Sequence, residues 1–294
     1  MQHASTILAG TVQVAPLTEA DVARAAAFLH AQLNSRVSAE AWERALDMPW
    51  SVDRPNAGVM LLDGDAVVGV HLAFYSDRTI DGRRERFCNL GAWCVLPEYR
   101  FHSLRLLKAL LAQEGYHFTD LSPSGNVPAI NSRLKFRQLD TATALIPNIP
   151  WPSWPRRAVI SSDPELIDRT LTGEDLELYR DHLSAGAARH VVLIKDDEWC
   201  YVVFRKDSRK NLPVFASILH VSNPDLFRRL ARPFSRHLLV HHAALATLAE
   251  ERIVRCRPRP SFRLRSPRRK MFRSPDLEPA QIDDLYSELV CVSW

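Results

Sequence analysis

The sequence predicts an α+β (α/β) chain of two domains, each a mixed central sheet flanked by helices. Three observations carry this. The chain has 294 residues, 46% hydrophobic and 24% charged, which suits two domains of about 150 residues better than one small one. Strand-like runs alternate with amphipathic helical runs throughout. The order strand, helix, hairpin, long strand, helix and strand also occurs twice, on either side of a segment rich in proline and tryptophan.

The elements follow from local chemistry. VQVAPL is strand-like, and Thr18, with Asp21 at capping-box spacing, opens a helix whose face holds Val22, Ala25, Ala26, Leu29 and Leu33. Ser38 caps SAEAWERALDMPW. AGVMLLDGDAVVGVHLAFYS gives two strands turning at Asp63-Gly64-Asp65, and Asp81-Gly82 turns the chain into RRERFCNLGAWCVLP. A loop and the helix HSLRLLKALLAQE come next, then the short strand HFTDLSP and the short helix VPAINSRLKF. The segment NIPWPSWPR places a boundary, giving domains at 1–147 and 158–294 with a linker at 148–157 whose tryptophans pack on a domain surface. AVISSDPELIDRTL starts the second half, and LTGEDLELYRDHLS is a helix capped at Thr172. A hairpin around Asp196-Asp197 leads to the long strand LPVFASILHVS, and Asn223 caps a helix with Pro224 at its first position. AALATLAEERI is a strand or a helix. DLYSELVCVSW, apolar at near-alternate positions, is expected to be a terminal strand that completes a sheet.

Composition excludes several classes. No apolar run approaches the roughly 20 residues of a membrane helix. MQHASTILAGTVQV has neither a basic start nor a long apolar stretch, so no secretory signal is expected. Five cysteines, odd in number, scattered and without CxxC, argue for reduced thiols in a cytoplasmic protein and against a zinc site or a disulfide frame. No metal-ligand pattern is present. Charge is uneven: residues 1–150 hold 14 Lys+Arg against 15 Asp+Glu, and residues 255–273 hold nine basic residues in 19. That run reads first as an extended, solvated arm or hairpin, broken by Pro258, Pro260 and Pro267. An anionic-ligand site is the second reading and nucleic-acid binding the weaker third.

The chemistry concentrates at VLPEYRFHSLRLLKALL. A strand, a short loop and a helix can hold a phosphate on the amides that open the helix, where the dipole also favours negative charge. Such a cradle normally uses glycine, and this loop has none. Val95-Leu96-Pro97-Glu98-Tyr99-Arg100, the helix behind it, and the later Asn131-Ser132-Arg133-Leu134-Lys135-Phe136 nevertheless resemble the GNAT superfamily of acyl-coenzyme A-dependent acyltransferases (GCN5-related N-acetyltransferase-like). The first matches the family's V-x-P-x-[YFH]-[RQ], the second its Y-x-x-L-G-F. The resemblance covers roughly residues 12–146. For 158–294 it extends to element order only, which implies tandem GNAT-like domains with a degenerate second copy.

The resemblance implies acetyl-CoA or another acyl-CoA as co-substrate, its pantetheine arm lying between a splayed fourth and fifth strand. It places the pyrophosphate on Arg100, Phe101, His102, Ser103, Leu104 and Arg105. The family loop is R/Q-x-x-G-x-G/A; here Ser103 and Arg105 replace its small residues. Arg105 can supply charge-assisted hydrogen bonds instead. The backbone near Cys94 or Val95 would polarise the thioester carbonyl, and Ser122 and Asn126 could bond the pantetheine arm or substrate. Many relatives carry a glutamate base near Asn89, where asparagine cannot serve. Glu85 lies at that strand's start, and Asp120 beside the expected acyl site is the remaining base candidate. The family's acidic tyrosine is replaced by Asn131. His71 is expected to be structural, and His241-His242 to end a helix.

These readings imply an N-acyltransferase that moves an acyl group to an amine of a small-molecule acceptor by direct attack. The arginines of the second half would suit an acidic acceptor. The missing glycines, glutamate and tyrosine equally suit two alternatives: a GNAT-like binding or scaffold protein, or a transferase whose acyl donor is a carrier protein.

Overall fold

A computed structural model describes residues 12–152, 158–209 and 212–293 of the protein. Residues 153–157, within the expected linker, and Trp294 lie outside the described residues. The first sheet contains β1 (Gln13–Pro16), β2 (Gly58–Asp63), β3 (Ala66–Ile80), β4 (Arg83–Val95), β5 (His117–Asp120) and β6 (Arg137–Gln138). The next strand, β7 (Thr143–Pro147), belongs to the second sheet with β8 (Ala158–Ser161), β9 (Ala188–Lys195), β10 (Glu198–Arg209), β11 (Leu212–Val221), β12 (Ala246–Glu250) and β13 (Phe262–Arg263). The last strand, β14 (Met271–Arg273), returns to the first.

Both sheets are mixed and share one plan. An antiparallel meander ends in a single parallel pair, β4 with β5 in the first sheet and β11 with β12 in the second. Helices α1 (Val22–Gln32), α2 (Ala39–Leu46), α3 (Ser103–Leu111) and α4 (Val127–Arg133) accompany the first sheet. The second has α5 (Pro164–Thr170), α6 (Gly173–His182), α7 (Pro224–His242) and α8 (Glu251–Val254). This is the α+β architecture, two mixed sheets each flanked by helices, that the sequence predicts. Its local signals act as the sequence reads them. Thr18 Oγ1 donates to Asp21 at 2.6 Å, Ser38 accepts from the Ala41 amide, and Asn223 accepts from the Leu226 amide. AALATLAEERI is strand first and helix after, as β12 and α8.

The sheets exchange strands across the linker. β7 pairs with β12, and β14 pairs with β5 and β6. Met271 and Phe272 are fully buried, and the Lys270 carbonyl accepts from the Leu139 amide. The basic run is therefore only partly an exposed arm; its end is a core strand of the first sheet. Burying two large apolar side chains, worth roughly 1.5–3 kcal/mol each, outweighs solvating the segment.

A third core lies between the sheets, and the C-terminal segment fills it. The terminal strand expected of DLYSELVCVSW is not formed; residues Glu288–Cys291 are helix α9, with Ser287 accepting from the Leu289 amide. Leu289, Val290, Cys291 and Val292 are all buried, so their spacing reflects enclosure on every side, not one strand face. Backbone bonds tie this turn to both halves. Asn89 Oδ1 accepts from the Glu288 amide at 3.1 Å, Arg205 donates to the Leu289 carbonyl at 3.0 Å, and the Ala187 amide donates to the Val290 carbonyl at 2.9 Å. Arg252 and Lys270 clasp Asp284, which is fully buried, and Arg78 pairs with Asp283. All five cysteines are free.

Candidate active site between the splayed strands

β4 and β5 are paired at Phe87–His117, Cys88–Phe118 and Asn89–Thr119, and their ladder stops there. Just beyond, β4 carries an extra residue. His71 pairs with Trp93 and Ala73 with Leu90, so three steps on β4 match two on β3. Such a bulge bends a strand and ends its pairing. Gly91 sits in it because a Cβ there would lie 2.6 Å from the Phe74 ring. The strands therefore part by construction, and a cavity of about 440 Å³ opens at the gap. That is within the range of small-ligand sites. Its wall includes Gly91, Ala92, Trp93, Asp120 and Ser122 from the splay, with Ser208, Arg268 and Arg269 from the second half.

Asp120, at the end of β5, is buried and faces this cavity. Asn131 Nδ2 donates to its Oδ2 at 2.7 Å. Burial raises the carboxyl from 3.8 to about 7, against the opposing hydrogen bonds from Asn131 and the Ser122 backbone. Behind it stands Glu288 of α9. Ser122 Oγ donates to Glu288 Oε1 at 2.7 Å, while Glu288 Oε2 is buried without a hydrogen-bond partner. Burial is the main cause that raises Glu288 to about 8, and the nearby Asp120 charge adds to it. Burial thus moves both carboxyls up towards neutral pH. Glu288 is the functional candidate that sequence reasoning missed. It lies 168 positions after Asp120 in a segment read as a strand, and no local pattern announces it.

The other candidates are dispersed. Asn89 is buried one step before the splay; its Nδ2 donates to Thr119 Oγ1 at 3.0 Å and its Oδ1 holds the Glu288 amide. It anchors the partner carboxylate. Glu85 is near the start of β4, 3.0 Å from His117 Nε2, away from the cavity wall. His71 stacks on Trp93 with ring centres 4.8 Å apart, and burial lowers it to about 3, so it is neutral. Its Nδ1 has no hydrogen-bond partner.

The amides near the gap can be assigned by alternation. The Leu96 amide donates to Val68 on β3 at 3.0 Å, and Cys94 pairs with Val70 in the same phase. The amides of Trp93 and Val95 therefore turn away from β3, towards the side where β5 has parted. Of Cys94 and Val95, Val95 is the one whose amide turns towards the gap.

The expected phosphate loop is a 3-10 turn over Pro97–His102 that runs straight into α3. The Ser103 amide is already bonded to the Arg100 carbonyl. Phe101 is 77% and Leu104 38% exposed. Arg105 donates to the Val12 carbonyl at 3.0 Å and lies 3.3 Å from His102 Nδ1. Asn126 is exposed at the start of α4. These loop residues adjoin one another, outside the cavity wall. In the second half the β11–α7 turn keeps Pro224 at the first helical position.

No protein-family model matches the chain, and no curated protein matches its sequence. Solved structures do match its fold. A GCN5-related N-acetyltransferase from Anabaena variabilis superposes with a TM-score of 0.57 at 12% identity, covering 89% of this chain and 72% of that one. A putative acetyltransferase from Pyrococcus horikoshii gives 0.55 at 13% identity over 97% and 96%. The N-myristoyltransferase of Saccharomyces cerevisiae, solved with myristoyl-CoA, gives 0.51 at 10% over 100% and 92%. The protein has the tandem GNAT fold, with both sheets inside the similarity. Among the described residues no helix is long and apolar enough to cross a membrane, and no cluster of metal-ligating side chains occurs.

Proposed function

We propose that the protein is an N-acyltransferase that moves an acyl group from an acyl-CoA, acetyl-CoA in the simplest case, to the amine of a small acceptor. The observation that carries this reading is the cavity at the β4–β5 splay with Asp120 on its wall. The thioester would enter between the parted strands, its carbonyl oxygen received by the outward amide of Val95. Asp120, with an affinity for protons near neutral, takes a proton from the acceptor ammonium. The free amine attacks the carbonyl carbon. The C–N bond forms, the C–S bond breaks, and the electron pair leaves on sulfur. The second proton of the nitrogen passes to the thiolate, giving the free thiol, and Asp120 returns the first to solvent. Asp120 takes the place of the glutamate that the sequence lacks.

Titration of the protein with acetyl-CoA in a calorimeter tests the donor site, and thiol release across an amine panel tests the chemistry. Loss of one general base lowers kcat by about 10²–10⁴-fold, so D120N is expected to lose turnover on that scale while still binding acetyl-CoA. Full activity in D120N, or no heat with acetyl-CoA at millimolar concentration, refutes the reading. A second reading is favoured by one observation. Phe101 and Leu104 present apolar surface at the loop where phosphates would bind. A donor held on a carrier protein would use that surface, and it predicts thiol release from an acyl-carrier protein at acyl-CoA concentrations that give none.

A further inference from the structure

The cavity wall carries charged groups of both signs. The carboxyl of Asp120 is on it, and that of Glu288, held by Ser122 Oγ, is buried behind, outside the wall. The part supplied by the second half carries two guanidinium groups, on Arg268 and Arg269. They are not equivalent. Arg268 is 2.8 Å from Asp207, a buried carboxylate also held by Ser217 Oγ and the Ser208 amide, so its charge is met inside the protein. Arg269 is exposed and has no hydrogen bond or ion pair among the described residues. Next to it the Ser208 side chain lines the same cavity. The rest of the wall is apolar at Leu33, Gly91, Ala92, Trp93, Pro123 and Val127 and uncharged at Ser122 and Ser124, and His71 is neutral.

We propose that this cavity takes a zwitterionic amine: an ammonium group at Asp120 and, at the other end, a carboxylate or phosphate on Arg269. The inference rests on the transferase reading for which end reacts. An amine without an anion leaves the Arg269 charge unmet, and an anion without an amine gains nothing from Asp120. Arg269 is free to form a bidentate, charge-assisted pair with either anion. Arg268, held by Asp207, serves as the fixed edge beside it.

Matched pairs of probes test this on the full-length protein by calorimetry: O-phosphoethanolamine against ethanolamine, and β-alanine against propylamine. The member of each pair that carries an anionic group is expected to bind at least about ten-fold more tightly than the one that carries the ammonium alone, equivalent to about 1.4 kcal/mol. The R269Q variant is expected to lose that preference and R269K to keep part of it. The melting temperature should change little, because Arg269 makes no hydrogen bond or ion pair among the described residues. The phosphate and carboxylate arms show which anion the site prefers. Equal binding within both pairs, an undiminished preference in R269Q, or no binding of either anionic probe at 10-millimolar order overturns the proposal. Acetyl-CoA titration separates this outcome from failure of the transferase reading. Selective zwitterion binding without coenzyme binding upholds the cavity assignment and removes the transferase; coenzyme binding without anion preference does the reverse.

Discussion

Replacing Asp120 by asparagine removes a titration while keeping the shape of the side chain and an acceptor for Asn131 Nδ2. Burial lifts the folded carboxyl from 3.8 to about 7; unfolding returns it to its ordinary value. Between those values the folded protein holds a proton that the unfolded chain has lost. The stability linked to that proton is full below about pH 4 and is lost as pH rises through about 7. At 1.36 kcal/mol for each pH unit, the whole shift is worth about 4 kcal/mol, of which about 2.5 kcal/mol falls between pH 5 and pH 8. Urea unfolding of both proteins at those two pH values measures it. D120N is expected to gain on the wild type by about 2.5 kcal/mol between pH 5 and pH 8. Glu288 feels the Asp120 charge only in the wild type, where that charge raises it, so coupling adds to the difference. A relative stability that stays constant within about 0.5 kcal/mol, or moves the other way, refutes the claim that Asp120 is a buried, readily protonated group.

Three further outcomes follow from the interior. Asp284→Ala leaves Arg252 and Lys270 buried with Glu250 as their remaining carboxylate; burial opposes ionisation of Asp284, yet these cations hold it below the ordinary carboxylate range. Urea unfolding should show a loss of about 3–5 kcal/mol, and a loss under about 1 kcal/mol would deny the cluster a structural role. Phe272→Ala should cost about 3–5 kcal/mol in the same assay and lower the stability of the first sheet, although the residue lies in the second half of the chain. A thiol reagent should label Cys94 and Cys256 in the native protein and all five cysteines in guanidinium, because Cys88, Cys200 and Cys291 are buried and burial pushes their thiols up, the first two to about 12. Rapid native labelling of all five would contradict the packing.

Glu288 shows why part of the site was illegible. Asp120 could be found from its place on a strand beside a recognisable loop, because the strand–loop–helix order is a local property. Glu288 reaches the same place through a segment that packs between two sheets. The residues that hold this segment, Asn89 and Ser122 at Glu288 and Arg205 at Leu289, are scattered over more than 100 positions. Likewise Arg269 reads in sequence as one charge among nine; only the topology shows that this charge lies on a cavity wall while its neighbour Arg268 is already paired.

The sequence by itself determined what depends on neighbours within a few positions: caps at Thr18, Ser38 and Asn223, the turns at Gly64 and Gly82, and the repeated order of strands and helices. Such signals act through backbone conformation and periodicity, which a short window contains. Only the tertiary structure decided which strands lie side by side, that the two halves trade β7 and β14, and that the C-terminal turn is enclosed on all sides. Those outcomes depend on burying surfaces contributed by distant segments, and a segment such as Lys270–Met271–Phe272 carries no local sign of the sheet that will cover it.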